Sequence, residues 1–196
     1  MFSVSSCRDL MCRFSVSFAP FDWVKWAPKK VNIFAWRAEQ NRLATLKGLQ
    51  RHNVHYGSTL CRFCGEAEED ADHLLVSCYV ATVVRHKVCT WCKVPWNPIS
   101  NVRDLLNLYK AGDVSGHKSS LLRLIFIASC WAIWKTRNEL IFSGKRASID
   151  RIFGETQAMP FMWMKHMAKE QGLSWANWCI KYFFAVQKKK KKKKQK

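Results

Sequence analysis

Four residues between positions 61 and 78 have the types and the spacing of a zinc site. The pattern is Cys61-x2-Cys64-x8-His73-x4-Cys78. Thiolates and imidazole nitrogens are preferred ligands of Zn²⁺, and four of them complete its tetrahedral coordination and leave no position for a substrate. The pattern therefore predicts one structural Zn²⁺ ion. The alternative is a group of buried free cysteines with an incidental histidine.

The segment between these ligands constrains the local backbone. Gly65 suits a sharp bend directly after Cys64. A helix is predicted to start near His73, yet His73 and Cys78 would lie about 140° apart on an ideal helix. One of the two must therefore lie where the helix is frayed. The five acidic residues between positions 66 and 72 suit the N-terminus of that helix, with Asp72 as its cap.

A second pair, Cys89-x2-Cys92, has two possible chemical roles. It resembles a redox motif, and with His86 it would offer three ligands for another metal. However, it lies near the end of the helix that precedes Pro95, without a preceding strand or a second ligand pair. We interpret these cysteines as free, partly buried thiols.

No set of catalytic residues is recognisable in the sequence. The eight glycines are scattered rather than gathered in a phosphate-binding loop. The acidic residues cluster only at 66–72, and no local signature pairs a cysteine with a histidine as nucleophile and base. The chain is therefore predicted not to be an enzyme.

The charge of the chain favours a polyanionic partner. Lysine and arginine total 33 against 14 acidic residues, a formal net charge of +19. Residues 188–196 hold eight of the lysines, and without them 25 basic residues still face 14 acidic ones, which gives +11. RNA or DNA is the predicted partner, although a basic chain can also lack one.

The first predicted helix begins after Pro28, a residue suited to a first helical turn. Its apolar residues recur at helical spacing, and Ile33 and Trp36 extend the apolar surface around most of the circumference, so we expect both to be covered. Thr45 is predicted to cap a second, short helix that ends near Arg51. Basic residues around these helices and the first cysteine pair are the candidate phosphate contacts: Lys29, Lys30, Arg37, Arg42 and Arg62.

Three further helices are predicted downstream. They cover Asn101 to Lys110, a long segment capped by Ser119 or Ser120 and ending at Phe142, and Ser148 to about Glu170 with a disturbance at Pro160. The apolar stretch from Leu121 to Trp134 is 14 residues long, whereas a bilayer-spanning helix needs about 20. It is predicted to be a buried helix, and no membrane partner is expected. The tryptophans could stack on bases, but at helical spacing beside leucine and phenylalanine they are predicted to be core residues.

These elements together predict a mainly α-helical fold with a short N-terminal strand-like segment. We expect a zinc-stapled domain at 1–95, a helical extension at 96–180 and a disordered lysine-rich tail at 181–196. Nine cysteines, an odd number, and no secretory signal indicate a reducing intracellular compartment, nucleus or cytoplasm, rather than secretion. No feature indicates an oligomeric state.

Several segments resemble the reverse-transcriptase zinc-binding domain of plant non-LTR (LINE-type) retrotransposon polyproteins. They are the basic helix from Trp26 to Arg37, the following Asn41-Arg42-Leu43, and Cys61-x2-Cys64-Gly65-x7-His73-Leu74-x3-Cys78. Residues 2–10 are similar to the segment that opens that domain, and 131–142 to the stretch that follows it. The resemblance implies that the four cysteine and histidine residues are the zinc ligands.

The resemblance also implies a role. Such a domain follows the polymerase and is expected to contact RNA or DNA of the element, or the polymerase portion itself. No endonuclease or polymerase precedes it here, so the chain is interpreted as a detached fragment. Residues 188–196 consist of lysines and one glutamine, which AAA and CAA codons encode, so this run is interpreted as a translated poly(A) tract. The alternative is a basic tail that serves in interaction or nuclear import. A purely structural or protein-interaction module and a non-functional genomic remnant remain alternatives.

Overall fold

The structure is a computed structural model that describes residues 21–110, 116–168 and 172–179. Within these ranges the chain is mainly α-helical, as predicted. The helices are α1 Lys29–Glu39, α2 Leu46–Gln50, α3 Tyr79–Cys92, α4 Val102–Asn107, α5 His117–Ser143 and α6 Ile149–Met167. Shorter turns are the π-helical His73–Ser77, the 3-10 helical Leu108–Lys110 and a helical turn at 175–179. The predicted strand-like segment and lysine tail lie outside the described residues.

Helix α5 is the centre of the fold. It packs against α1, α3, α4, the π-helical turn and α6. All side chains from Leu121 to Cys130 are buried, because neighbours cover this helix on every side. The predicted buried helix is therefore present. None of the helices in the described ranges combines the length and the apolar character needed to cross a bilayer.

The segment before α1 is fixed by one buried amide. Asn32 Oδ1 accepts a hydrogen bond from Val24 N at 3.0 Å, while its Nδ2 donates to Val24 O at 2.9 Å and Ala27 O at 3.2 Å. Pro28 is the N-cap of α1, in the extended conformation that precedes a helix. Residues 21–28 are thereby held against the start of α1, which orients the basic helix relative to the core.

The predicted cap at Thr45 is present, whereas the predicted serine cap of the long helix is wrong. Thr45 Oγ1 accepts from Gly48 N at 3.1 Å, and Ser148 Oγ accepts from Arg151 N at 3.4 Å. Helix α5, however, starts at His117 with Gly116 as its N-cap, ahead of the predicted serines. Gly116 has φ of 67°, a conformation that glycine adopts without steric cost. Helix α6 continues through Pro160.

Candidate metal centre

The first two predicted ligands lie on a short loop whose ends pair with each other. Cys61 N donates to Ala67 O at 2.8 Å and Glu69 N donates to Thr59 O at 2.8 Å, on either side of an antiparallel bridge between residues 60 and 68. Gly65, with φ of 71°, makes the turn after Cys64. A residue with a side chain would be strained there. The loop thus brings the Cys61 and Cys64 thiols together, with the bend at Gly65 that the sequence predicted.

The other two ligands meet because the backbone leaves the α-helical path. His73–Ser77 forms a π-helical turn in which Cys78 N donates to His73 O at 2.7 Å. A π-helical hydrogen bond joins residues five apart, which is the separation of these two ligands. Cys78 then adopts φ −58° and ψ 140°, and α3 begins only at Tyr79. The α-helix predicted to start near His73 thus starts later, at Tyr79, and the expected departure from ideal helical geometry between the two ligands is this π-helical turn.

The acidic residues of this loop have separate roles, and the predicted Asp72 cap is wrong. His73 N donates to Asp70 Oδ1 at 2.8 Å, whereas Asp72 Oδ1 accepts from Val102 N at 2.8 Å, at the start of α4. Asp72 already has α-helical backbone angles, so its side chain is not in a capping position. Glu68 forms an ion pair with Lys47 at 2.6 Å. The cluster thus fastens the loop to α2 and α4.

The four predicted ligands converge at one point. Their ligand atoms all lie within 4.8 Å of one another. Cys61 Sγ is 3.9 Å from Cys78 Sγ, and Cys64 Sγ is 3.3 Å from His73 Nε2. In a tetrahedral site with Zn–S bonds of about 2.3 Å, two sulfurs lie about 3.8 Å apart and a sulfur and a nitrogen about 3.5 Å. The donor set and its spacing therefore fit one Zn²⁺ ion.

The two buried thiols interact strongly with each other. The pKa of Cys61 is raised, chiefly because its thiol is hydrogen-bonded to Cys78 and further because it is buried. The same hydrogen bond lowers the pKa of Cys78. The two thiols lie close enough for their protonation to be coupled. A bound zinc ion would take up both as thiolates and release their protons.

Neighbouring donors are arranged to stabilise thiolates and to orient the imidazole. The backbone N–H groups of Phe63 and Cys64 are directed at Cys61, and that of Val80 is directed at Cys78, and these contacts lower the pKa of each thiol. Ser77 Oγ lies 3.3 Å from His73 Nδ1. With Nδ1–H donating to Ser77, the lone pair of Nε2 is directed at the three sulfurs. The sequence signal for Ser77 is its position four residues after His73.

A buried ion pair beside the loop was not predicted. Glu69 is 0% exposed and Arg137 of α5 is 2% exposed. Arg137 Nε donates to both carboxylate oxygens, at 3.1 and 3.2 Å, and Leu46 N donates to Glu69 Oε1 at 3.0 Å. Glu69 therefore connects the cysteine loop to both α2 and α5. No sequence signal identifies Arg137 as its partner, because polar residues flank it on both sides, from Lys135 to Glu139.

The second cysteine pair is separate from this centre. Cys89 and Cys92 are buried free thiols in the last turn of α3. Burial raises the pKa of both, which opposes the thiolate form that redox chemistry requires. Among the described residues, neither belongs to a group of side chains that could hold a metal ion. These properties agree with the interpretation of both residues as free thiols.

The five candidate phosphate contacts are exposed, but two have fixed positions. Arg37 Nε and Nη2 donate to Arg42 O at 3.2 and 3.0 Å, which closes the turn after α1. Arg62 Nη2 lies 3.4 Å from Tyr56 O. The other candidates are Lys29, Lys30 and Arg42.

The predicted burial of Ile33 and Trp36 is wrong. Their side chains are 47% and 36% exposed, because other elements cover only the opposite side of α1.

Comparison with known proteins finds a match to one family over less than half of the chain. Residues 2–84 match the family model described as zinc-binding in reverse transcriptase. The matched range contains all four residues of the cysteine–histidine cluster, and the family is an accessory zinc-binding domain rather than the catalytic part of the enzyme. No curated protein and no solved structure shows significant similarity to the chain. The predicted domain is thereby supported, and its cluster fits one structural zinc ion.

Proposed function

We propose that this chain is a zinc-binding accessory module of a retrotransposon-derived reverse transcriptase, that it contacts RNA or DNA, and that it has no catalytic centre of its own. The observation that carries the proposal is the convergence of Cys61, Cys64, His73 and Cys78 in a segment that matches the zinc-binding family. A closed set of four ligands supports a structural role for the metal, since catalytic zinc keeps an open position.

Charge and exposure support the nucleic-acid contact. Lys29 and Lys30 open α1, Arg37 lies on its last turn and Arg42 follows it, and all four side chains are exposed. Arg62 lies within the cysteine loop itself. Phosphates are bound chiefly by such lysine and arginine side chains, and the resulting affinity falls with salt concentration. The net charge of +19 favours the same partner.

The origin of the chain is a further part of the proposal. The resemblance of its motifs to plant LINE-type polyproteins supports such an element as the source, and the lysine run at 188–196 supports translation of its poly(A) tract. The encoding DNA tests this directly. An uninterrupted A-tract that begins at the lysine codons is expected. Mixed AAA and AAG codons followed by a stop well before any A-tract would contradict it and favour a selected basic tail.

A structural or protein-interaction module is the second candidate function. The ion pair between Glu69 and Arg137 favours it, because it fastens the cysteine loop to the central helix without any ligand. The partner would then be the polymerase portion of the parent element. The free cysteines of the described part support a reducing compartment for either role.

Metal analysis tests the zinc site. The full chain is expected to contain one zinc per molecule, and Cys64→Ser and His73→Ala are expected to lose both the metal and much of the helical circular dichroism. Cys89→Ser is the matched control, because it removes a thiol of the same chain outside the cluster and should retain the zinc. Unchanged folding without metal in both ligand variants would contradict the proposal.

A salt titration separates the two candidate functions. The full chain and a variant with the eight lysines of residues 188–196 replaced by glutamine are compared for binding to RNA and DNA. Affinity that survives the replacement and falls steeply with salt supports nucleic-acid contact. Loss of all binding in the tail variant contradicts that contact and leaves the structural module.

A further inference from the structure

Three adjoining hollows run from α1 and α2 onto α5. The largest, about 650 Å³, lies between the end of α1 and α2 and is lined by Trp36 and Arg42. The next, about 210 Å³, shares Arg37 with the first. The third, about 330 Å³, shares Trp131 and Trp134 with the second and reaches the end of α5. Because neighbouring hollows have residues in common, they form one surface depression, here called the basic-aromatic groove.

One half of the groove is lined by positively charged side chains. Lys30, Arg37, Arg42 and Arg51 line it. Within 21–110, 116–168 and 172–179, none of these four side chains lies within ion-pair distance of a carboxylate. Uncompensated cations in a concave surface concentrate anions there.

The other half carries aromatic rings along one face of α5. Trp131, Trp134 and Phe142 recur at steps that keep them on the same side of a helix, with Asn138 between the last two. The row spans about 16 Å at ~1.5 Å per residue. Phe142 is 71% exposed, and Trp131 and Trp134 are half-buried. The prediction that these tryptophans are core residues is thus only partly met.

The rings differ in how firmly they are held. Phe34 lies beneath both tryptophans, with ring centroids 5.1 Å from Trp131 and 6.0 Å from Trp134. Lys30 Nζ lies 6.0 Å from the centre of the Trp131 ring. The tryptophans therefore form a rigid floor. The exposed Phe142 lies at one end of the groove and Trp36 lies at the other.

One carboxylate lines the groove, and its charge is already balanced. Glu139 Oε2 accepts from Arg151 Nη1 at 2.7 Å, and Glu139 Oε1 lies 3.8 Å from Lys135 Nζ. The pKa of Glu139 is lowered chiefly by the hydrogen bond from Arg151. This end of the groove therefore presents no unpaired negative charge to a phosphate backbone.

We propose that the basic-aromatic groove binds single-stranded nucleic acid. Phosphates lie against Lys30, Arg37 and Arg42, and bases stack on Trp36 and Phe142. Stacking on side chains requires bases that are not paired in a duplex, and a groove that combines cations with exposed aromatic rings is the usual means of binding a single strand. The inference rests on the proposed function, because it locates the nucleic-acid contact and names the form of nucleic acid.

Fluorescence anisotropy tests the proposal with four labelled probes of one mixed sequence: single-stranded RNA, single-stranded DNA and the two corresponding duplexes. The protein is the full chain with the eight lysines of residues 188–196 replaced by glutamine, so that the tail does not contribute. One or both single strands should bind at least about fivefold more tightly than their duplexes. Affinity should fall with salt, with a logarithmic slope of about −2 to −3 for three or four phosphate contacts.

Matched substitutions locate the site. Phe142→Ala and Trp36→Ala should each weaken single-strand binding by at least about fivefold, the effect of losing one stacked base. Trp175→Ala is the aromatic control, because Trp175 is 45% exposed and packs on Phe161 of α6. Lys30→Gln should weaken binding and reduce the salt slope by about 0.7, whereas Lys165→Gln on α6 should not.

Each result decides between the two proposals. Preference for single strands that the groove variants lose and the control variants keep supports the groove. Equal binding of single strand and duplex, or binding that Phe142→Ala and Trp36→Ala leave unchanged, overturns the groove and leaves the proposed nucleic-acid contact standing. Absence of binding to all four probes overturns both.

Photo-crosslinking provides a measurement that does not depend on the folding of a variant. Single strands that carry 5-iodouridine should crosslink to peptides containing Trp36 or residues 131–142. Crosslinks confined to peptides outside the groove, such as those of α3 or α6, overturn the proposal.

Discussion

Glu69 and Arg137 form an ion pair in which both side chains are shielded from solvent, at 0% and 3% side-chain exposure. The carboxylate also accepts the hydrogen bond from Leu46 N at 3.0 Å. These donors belong to α2 and α5, whereas the carboxylate itself belongs to the cysteine loop. Glu69 therefore links the loop to both the short helix and the central helix.

Removing the charge of Glu69 alone should strongly destabilise the fold. Glu69→Gln keeps an acceptor for Leu46 N but leaves the Arg137 charge buried without a counterion, which should lower the free energy of unfolding by about 3–5 kcal/mol. Adding Arg137→Met should restore most of the loss, because the buried charge is then absent. Urea unfolding of the single and double variants measures this. A loss below about 1 kcal/mol in the single variant would show that the pair is not essential.

Ser77 should tune the metal affinity through His73. Ser77→Ala removes the oxygen that lies 3.3 Å from His73 Nδ1, so the ring is less well oriented toward the sulfurs. Loss of such a partner typically weakens metal binding by about 10–100-fold. We expect the lower end of that range because Ser77 is exposed. Competition with a chromogenic zinc chelator measures the affinity, and Ser77→Thr, which keeps the hydroxyl, should rescue it.

Zinc removal should weaken nucleic-acid binding even though no ligand lies in the basic-aromatic groove. Helix α2 forms one wall of the groove, and two contacts attach it to the cysteine loop. Lys47 forms an ion pair with Glu68 at 2.6 Å, and Leu46 N donates a hydrogen bond to Glu69 at 3.0 Å. Both acids belong to the cysteine loop, which the metal closes. Chelation of the tail-substituted chain should reduce single-strand affinity at least about tenfold, and added zinc should restore it. Unchanged affinity after complete metal removal would show that the groove forms without the ion.

Arg85 is expected to reduce stability. Its guanidinium is buried, and its Nε and Nη1 lack a hydrogen-bond partner among the described residues. Burial lowers its pKa, and its nearest compensation is the Trp96 ring, at 4.3 Å. Arg85→Met should therefore leave the free energy of unfolding unchanged or raise it by about 1 kcal/mol.

The exposed Lys165→Met is the reference for Arg85→Met, and it should change stability by no more than about 0.5 kcal/mol. Thermal unfolding of the two variants makes the comparison. A loss above about 1.5 kcal/mol in Arg85→Met alone would mean that the cation–π contact with Trp96 outweighs the cost of burying the charge.

The metal ligands could be predicted because their chemistry is local. Their residue types, within 18 positions of sequence, specify a tetrahedral site before any fold is known. The helix cap at Thr45 was predictable for the same reason, since a side-chain oxygen three residues before its donor defines a cap. The division into a domain at 1–95 and an extension at 96–180 remains a prediction.

The features that escaped prediction depend on distant residues. Nothing near Glu69 indicates that its partner lies 68 positions away, and an acidic run is equally suited to a helix N-terminus. The π-helical turn at 73–77 could not be derived either, because five-residue spacing excludes an ideal helix without stating what replaces it. The exposure of Trp36 depends on which side of α1 meets α5, and helical periodicity does not specify that side.

The long separation of Glu69 from Arg137 also sets an order of events during synthesis. The ribosome completes the cysteine loop and the last ligand, Cys78, before it reaches Arg137, 68 residues after Glu69. A nascent chain can therefore take up zinc while Glu69 still faces water as a hydrated carboxylate. Helix α5 packs against the loop later, and the Glu69 carboxylate must then lose its bound water. The metal site can thus form before Arg137 is synthesised, and the ion pair with Glu69 forms only once the chain has grown past Arg137.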